Sequence, residues 1–255
     1  ENVLTLYDLY KAAGLISEAE AKGGYNSAIW AGLLYDTRDK EGAPTRGIWA
    51  EGHIMLSPKW LGSTNESYRY SFTWRHYLPI VKNDVLTFAY RINYEGTFGK
   101  NAPFYMLPFI TDMGEGGDRD GFGGYRTVRG ILRSRVWGLD NLTYTAEFRW
   151  RFVQFPLWNQ NIALGLSVFS DGSMVTRGRD LNFNAIPGMT KEILRITNLN
   201  DSMHVTTGAG FRFIMNENFI VAAEYGLPIS KFMKNSPIYR QDGDGAFYIN
   251  IGYLF

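Results

Sequence analysis

The sequence predicts an all-β protein, a transmembrane antiparallel β-barrel, on three observations. Nine segments alternate between apolar and polar residues with a period of two. The apolar side is crowded with evenly spaced aromatic residues, while the opposite side carries arginine and glutamate. Short connections between segments alternate with long ones. In a soluble β-sandwich the apolar face turns into a core. In a membrane barrel it faces lipid, and the lumen holds the charges and the water. Tilted segments of about 10 residues match the apolar band of such a barrel. The composition, 17 Phe, 16 Tyr and 7 Trp beside 28 Gly, favours β structure over helix.

Taken in order, NSAIWAGLLY (26–35) alternates least well, and IWAEGHIML (48–56) follows it. In SYRYSFTWRHY, Tyr68, Tyr70, Phe72 and Trp74 share one face and Arg69, Ser71, Thr73 and Arg75 the other. VLTFAYRINY sets Leu86, Phe88, Tyr90 and Ile92 against Thr87, Ala89, Arg91 and Asn93. LTYTAEFRWRF is the cleanest, with Tyr144, Ala146, Phe148, Trp150 and Phe152 against Thr145, Glu147, Arg149 and Arg151. IALGLSVF (162–169), VTTGAGFRF (205–213) and FIVAAEYG (219–226) continue the series. AFYINIGYLF (246–255) closes it, with Phe247, Ile249, Ile251, Tyr253 and Phe255 together. Tyr68, Trp74, Tyr94, Tyr144 and Tyr253 are expected to face outward as interfacial girdles. LPIVKND, QFPLWNQN and NEN are the short turns, and 58–66, 95–140, 170–203 and 227–245 the long loops. That asymmetry is the one expected of periplasmic turns and extracellular loops in a bacterial outer membrane.

The rest of the composition narrows the function. Lys and Arg total 26 against 25 Asp and Glu, a net charge of +1, so nucleic acid is not an expected partner. Without cysteine there is no disulfide framework and no thiol nucleophile. His53, His76 and His204 fall on three separate segments, and GDRDG (117–121) and QDGDG (241–245) lack the glutamate of a full calcium loop. No nucleophile elbow, Walker sequence or dinucleotide fingerprint occurs. Neither a cofactor, nor a metal, nor an enzymatic activity is expected. No run of about 18 apolar residues is present, and any signal peptide is expected to have been removed already.

The stretch GGYRTVRGILRSR (123–135) is basic and glycine-flanked, as an anion-binding loop would be. Its core, Val128, Arg129, Gly130 and Ile131, resembles the VRGF-type motif of the BamA/TamA superfamily of outer-membrane barrels, which insert or export other proteins. YDTRD (35–39) with PTRG (44–47), APFY (102–105), AEFRW (146–150) and FSDGSM (169–174) are similar to the family's other motifs, in the family's order over residues 24–255. The resemblance implies that 95–140 is a loop folded back into the lumen, where its arginine is gripped by acids on the wall. The residues agree. Glu147 faces inward by parity, and Asp171 does so if its strand continues past Phe169. A guanidinium in a lumen needs such partners to offset its desolvation. Arg212 and Glu224, inward on adjacent strands, are expected to pair with each other. Phe255, in phase with Tyr253, resembles the C-terminal assembly signal of outer-membrane barrels, and Gly252 is expected to weaken the closing strand.

Residues 1–25 read as an extracellular helix or loop ending at Gly23 and Gly24, and 26–255 as barrel strands. Bacterial barrels normally have an even number of strands, and the family implies about sixteen. The chain is therefore expected to be the C-terminal part of a longer barrel, or else a small self-contained one using residues 3–10 as a tenth strand. By resemblance the function is assembly or translocation at the outer membrane, without catalysis. A passive pore, or a membrane anchor for an upstream enzyme domain such as a patatin-like lipase, are the alternatives. The implied partners are outer-membrane lipid, the remaining N-terminal barrel part in the same or a separate chain, substrate outer-membrane proteins and accessory envelope proteins.

Overall fold

The computed structural model of the chain describes residues 5–100, 102–109, 121–182, 186, 202–232 and 242–252. All nine alternating segments are strands. They are β1 (Ile29–Asp36), β2 (Gly47–Ser57), β3 (Ser67–Val81), β4 (Leu86–Thr97), β5 (Asp140–Leu157), β6 (Gln160–Arg177), β7 (His204–Met215), β8 (Phe219–Pro228) and β9 (Ala246–Ile251). They form one antiparallel sheet in chain order. Among the described residues β1 pairs only with β2 and β9 only with β8, so the sheet is open at both edges.

The strands outrun the alternation seen in sequence, and this tightens the turns. LPIVKND and QFPLWNQN are largely strand: β3 runs to Val81, and β5 and β6 leave only Trp158 and Asn159 between them. Asn83–Asp84, Trp158–Asn159 and Asn216–Glu217 each place two successive residues at positive φ, between 48° and 67°. Paired left-handed residues match the twist of the flanking strands in a tight hairpin.

One face of the sheet is polar and covered, the other apolar and bare. Ser71, Thr73, Thr143, Thr145 and Ser167 are buried, as are Arg69, Arg91, Glu95 and Glu147. Phe72, Ile92, Phe148, Trp150 and Val168 are exposed on the opposite face. Of the expected girdle residues, Tyr68, Trp74, Tyr94 and Tyr144 lie on this outer face by register, and Tyr253 falls outside the described residues. A soluble protein cannot afford this inversion; a protein solvated by lipid requires it. Arg75 and Arg91 stand directly opposite each other on β3 and β4. The repulsion is relieved because Arg75 pairs with Glu51 at 3.5 Å, while Arg91 donates to the carbonyls of Arg126 and Thr127, both at 3.1 Å.

An outward charge should be costly. Val168→Arg, near the middle of the apolar face, is expected to cost about 2–4 kcal/mol when the barrel inserts. The measurement is the heat-modifiable folded fraction after refolding into vesicles. Equal yields for Val168→Arg and wild type would mean that this face meets water.

The hydrophobic core lies on the polar side, in the lumen. Phe122, Val128, Ile131 and Val136 cluster there with Val175 against them, and Ala102, Leu107 and Leu139 form a second cluster. Near the N-terminus, α1 (Leu6–Ala12) is capped by a reciprocal Thr5–Asp8 box. The helix read from sequence as far as Gly23 ends sooner, because Gly14 turns left-handed at φ 80°. Glu20 then accepts from Arg179 at 3.1 Å and from the Phe104 amide at 3.2 Å, which ties this segment to the end of the sheet that carries the long connections.

Candidate functional site

The motif loop is shaped by its glycines. Phe122 and Val136 exchange backbone hydrogen bonds of 2.8 and 3.0 Å, and Gly124 donates to the Ile131 carbonyl at 3.0 Å. Gly123 sits at φ 129°, with its amide donating to the Thr127 hydroxyl at 2.8 Å. Val128 and Ile131 turn into the loop's own apolar cluster, which sends the side chain between them, Arg129, toward the barrel wall.

Arg129 is 4% exposed and meets acids from three strands. Its Nε and Nη2 donate to the two carboxylate oxygens of Asp171 on β6 at 2.8 and 3.0 Å, a fork in which each bond is charge-assisted. Its backbone amide donates to the same carboxylate at 3.0 Å. Nη1 lies 3.0 Å from Glu147 on β5 and 2.9 Å from Glu224 on β8. The guanidinium carbon stands 3.4 Å from the centroid of the Phe169 ring, a cation–π contact. Burial opposes the charge on Arg129, but Asp171, Glu147 and Glu224 outweigh it and hold its pKa above the ordinary arginine value.

The acids are shared. Arg212 on β7 pairs with Glu147 and, at 3.0 Å, with Glu224, while Arg149 donates to Glu147 at 3.0 Å. Three arginines and three carboxylates therefore alternate in a closed patch, which lets so much charge stay buried. Gly130, at φ 95°, donates to the Tyr248 hydroxyl of β9 at 2.9 Å. A Cβ on Gly130 would fall 2.6 Å from the Gly226 carbonyl carbon of β8, so loop and wall meet backbone to backbone.

Of the four arginines between 123 and 135, Arg126, Arg133 and Arg135 are exposed. Only Arg129 enters the lumen, where Glu147 and Asp171 meet it. Parity put Glu224 inward but paired it with Arg212 alone; its second partner, Arg129, arrives from a loop whose reach no periodicity reveals. Phe169 was legible only as an aromatic out of phase, on the polar face beside Asp171. Gly252, just past the end of β9, sits at φ 125° with its amide donating to the Ile220 carbonyl of β8 at 3.0 Å. Tyr253 and Phe255 lie outside the described residues.

Elsewhere the histidines sit in local side-chain pairs. His53 meets Glu51 at 3.3 Å and His76 the Tyr90 hydroxyl at 3.1 Å. Asp242, from the QDGDG turn, accepts from Ser230 and bonds His204. That order puts the acid in the middle, whereas a hydrolase relay needs the histidine there. Among the described residues no group of three or more potential ligands is placed to hold a metal ion.

Comparison with known proteins agrees with this geometry. The Omp85 superfamily domain matches residues 5–255. No curated protein matches the chain. Among solved structures, BamA from Haemophilus ducreyi lacking POTRA domains 1–3 is similar in fold, with a TM-score of 0.60 at 18% identity over 89% of this chain. The match takes in 42% of that BamA chain, so this chain spans less than half of its length.

Proposed function

Because the chain belongs to the Omp85 superfamily, we propose that it is the C-terminal part of an outer-membrane barrel that inserts, assembles or translocates other proteins without covalent catalysis. One observation carries the reading: the motif loop is gripped by β5, β6 and β8, next to a sheet edge, β9, that has no outer partner among the described residues. An edge strand offers a row of unpaired N–H and C=O groups, a template for another chain. In this reading the loop keeps the neighbouring wall rigid while a substrate strand pairs at the edge. The two edges also accommodate the remaining strands of the barrel, in the same or a separate chain. Residues 5–25, at the end with the long connections, lie outside the cell. A passive pore is the competing reading. The buried clusters that the motif loop builds in the lumen count against it.

The test is a photo-reactive amino acid at Asn250, in cells expressing the full-length protein, during a pulse of outer-membrane protein synthesis. Adducts with unfolded barrel proteins are expected. A correctly inserted protein that yields no adduct, and whose depletion leaves other outer-membrane barrels at normal levels, would count decisively for the pore.

A further inference from the structure

The connection between β1 and β2, residues 37–46, is used neither by the motif loop nor by the sheet edge. Neighbouring antiparallel strands can turn in two residues, and the β5–β6 turn at the same end does so. This connection has ten residues. A turn at a barrel rim belongs in water, yet residues 42–45 are buried, with Ala43 and Thr45 each 2% exposed.

They are buried because the connection crosses the lumen. Ala43 packs with Ala163, Ile214 and Ile220, from the inner faces of β6, β7 and β8, far across the sheet from β1 and β2. Its carbonyl accepts from Arg151 of β5 at 3.2 Å. Lys40 holds two other turns at once, with Nζ 2.8 Å from Asp84 in the β3–β4 turn and 2.7 Å from Glu217 in the β7–β8 turn. The Thr45 hydroxyl lies 2.6 Å from Asp39 and 2.8 Å from Asp84.

Local sequence makes the crossing rigid. Asp39 folds the segment on itself by accepting from the amides of Thr45 at 2.9 Å and Arg46 at 3.2 Å. At the entry Asp36 holds Arg38 by a two-pronged bond, and the Arg38 guanidinium lies 4.1 Å from the Trp49 ring centroid. At the exit Gly47 turns at φ 103°, where a Cβ would meet the Thr37 carbonyl oxygen at 2.3 Å. The cavity left between residues 43–45 and Arg149, Arg151 and Arg212 is about 20 Å³.

We propose that residues 37–46 are a strap that shuts the lumen at its short-turn end, held there by Lys40 between Asp84 and Glu217. Ions and polypeptide then cannot pass along the barrel axis while the strap is docked. The contacts that hold it are the Lys40 ion pairs, the bonds of Arg151 and Asp84 to Ala43 and Thr45, and one small apolar cluster. This inference does not depend on the assembly reading, because its test needs no substrate.

The test is conductance of the full-length protein in planar bilayers. Wild type is expected to stay at leak level, and Lys40→Glu, which sets a third acid beside Asp84 and Glu217, to conduct at least tenfold more. The chain has no cysteine, so Lys40→Cys with Glu217→Cys introduces one defined thiol pair. Joining the pair with a reductively cleavable bis-maleimide should lower the conductance of that variant at least tenfold, and reductant should restore it. This within-sample comparison also holds if Lys40→Glu folds poorly. An open wild-type channel, or a cross-linked variant that conducts as well as the cleaved one, overturns the strap.

Discussion

Arg129→Ala is expected to lower the temperature at which the folded barrel loses its fast-migrating band on a gel by about 10 °C. The reasoning starts from Asp171, which is fully buried and whose ion pair among the described residues is with Arg129. Removing the guanidinium leaves that carboxylate uncompensated, and breaking a buried pair from one side costs about 3–5 kcal/mol. In a protein of this size each kcal/mol is worth about 2–4 °C. The loss extends to Glu147 and Glu224, which keep Arg212 but share one cation fewer. Arg133→Ala, at an exposed position of the same loop, should shift the band by less than the equivalent of about 0.5 kcal/mol. Adding Asp171→Asn to Arg129→Ala should recover part of the loss, since it removes the orphaned charge. Equal behaviour of the Arg129 and Arg133 variants would remove the clamp from the account of stability.

Gly130→Ala should be nearly as damaging, although it adds a single carbon. Two effects combine. At φ 95° an L side chain is strained, at about 1–2 kcal/mol. The added Cβ would also lie within 3 Å of three backbone atoms of Gly226 and Leu227, which cannot rotate away. The loop must lift, taking Arg129 off its acids and Gly130 off the Tyr248 hydroxyl. Gly99→Ala separates the two effects, because Gly99 also has positive φ, 74°, but nothing within 4 Å of its Cβ position. The approach can be tested from the other side by Gly226→Ala, whose Cβ would meet the Arg129 carbonyl at 2.7 Å. Limited proteolysis of the loop, with the gel shift, is the measurement. If Gly130→Ala is no worse than Gly99→Ala, close approach to β8 does not hold the loop.

How far the sequence could be read depended on whether the determining contact was local. Each of the nine strands, and the face on which Glu147, Asp171, Arg212 and Glu224 stand, follows from period-two alternation, which is a property of the backbone. Parity names a face but not a height or a distance across the lumen. Glu224 could therefore be paired with its neighbour Arg212 but not with Arg129, 95 residues away in the chain. Tyr248 was legible as inward, and its bond to Gly130 was not. α1 ends at Ala12, short of the Gly23 expected from sequence, because Gly14 breaks the run after fewer than two turns. Residues 37–46 read as a turn of known family pattern; that Ala43 goes inward depends on Ala163, Ile214 and Ile220, all distant in sequence.

The origins of the clamp's three acids impose an order of events on folding. Glu147 comes from β5, Asp171 from β6 and Glu224 from β8, so the loop cannot complete its contacts until the sheet has grown past β8. Until then Glu147 and Asp171 share the wall with Arg149, and with Arg212 once β7 has paired. Contacts with Glu147 and Asp171 close shorter loops, whereas the contact with Glu224, 95 residues along the chain, closes the longest and completes last. The clamp is therefore expected to be completed only when β8 is in register, since a misaligned β8 would leave the guanidinium without Glu224.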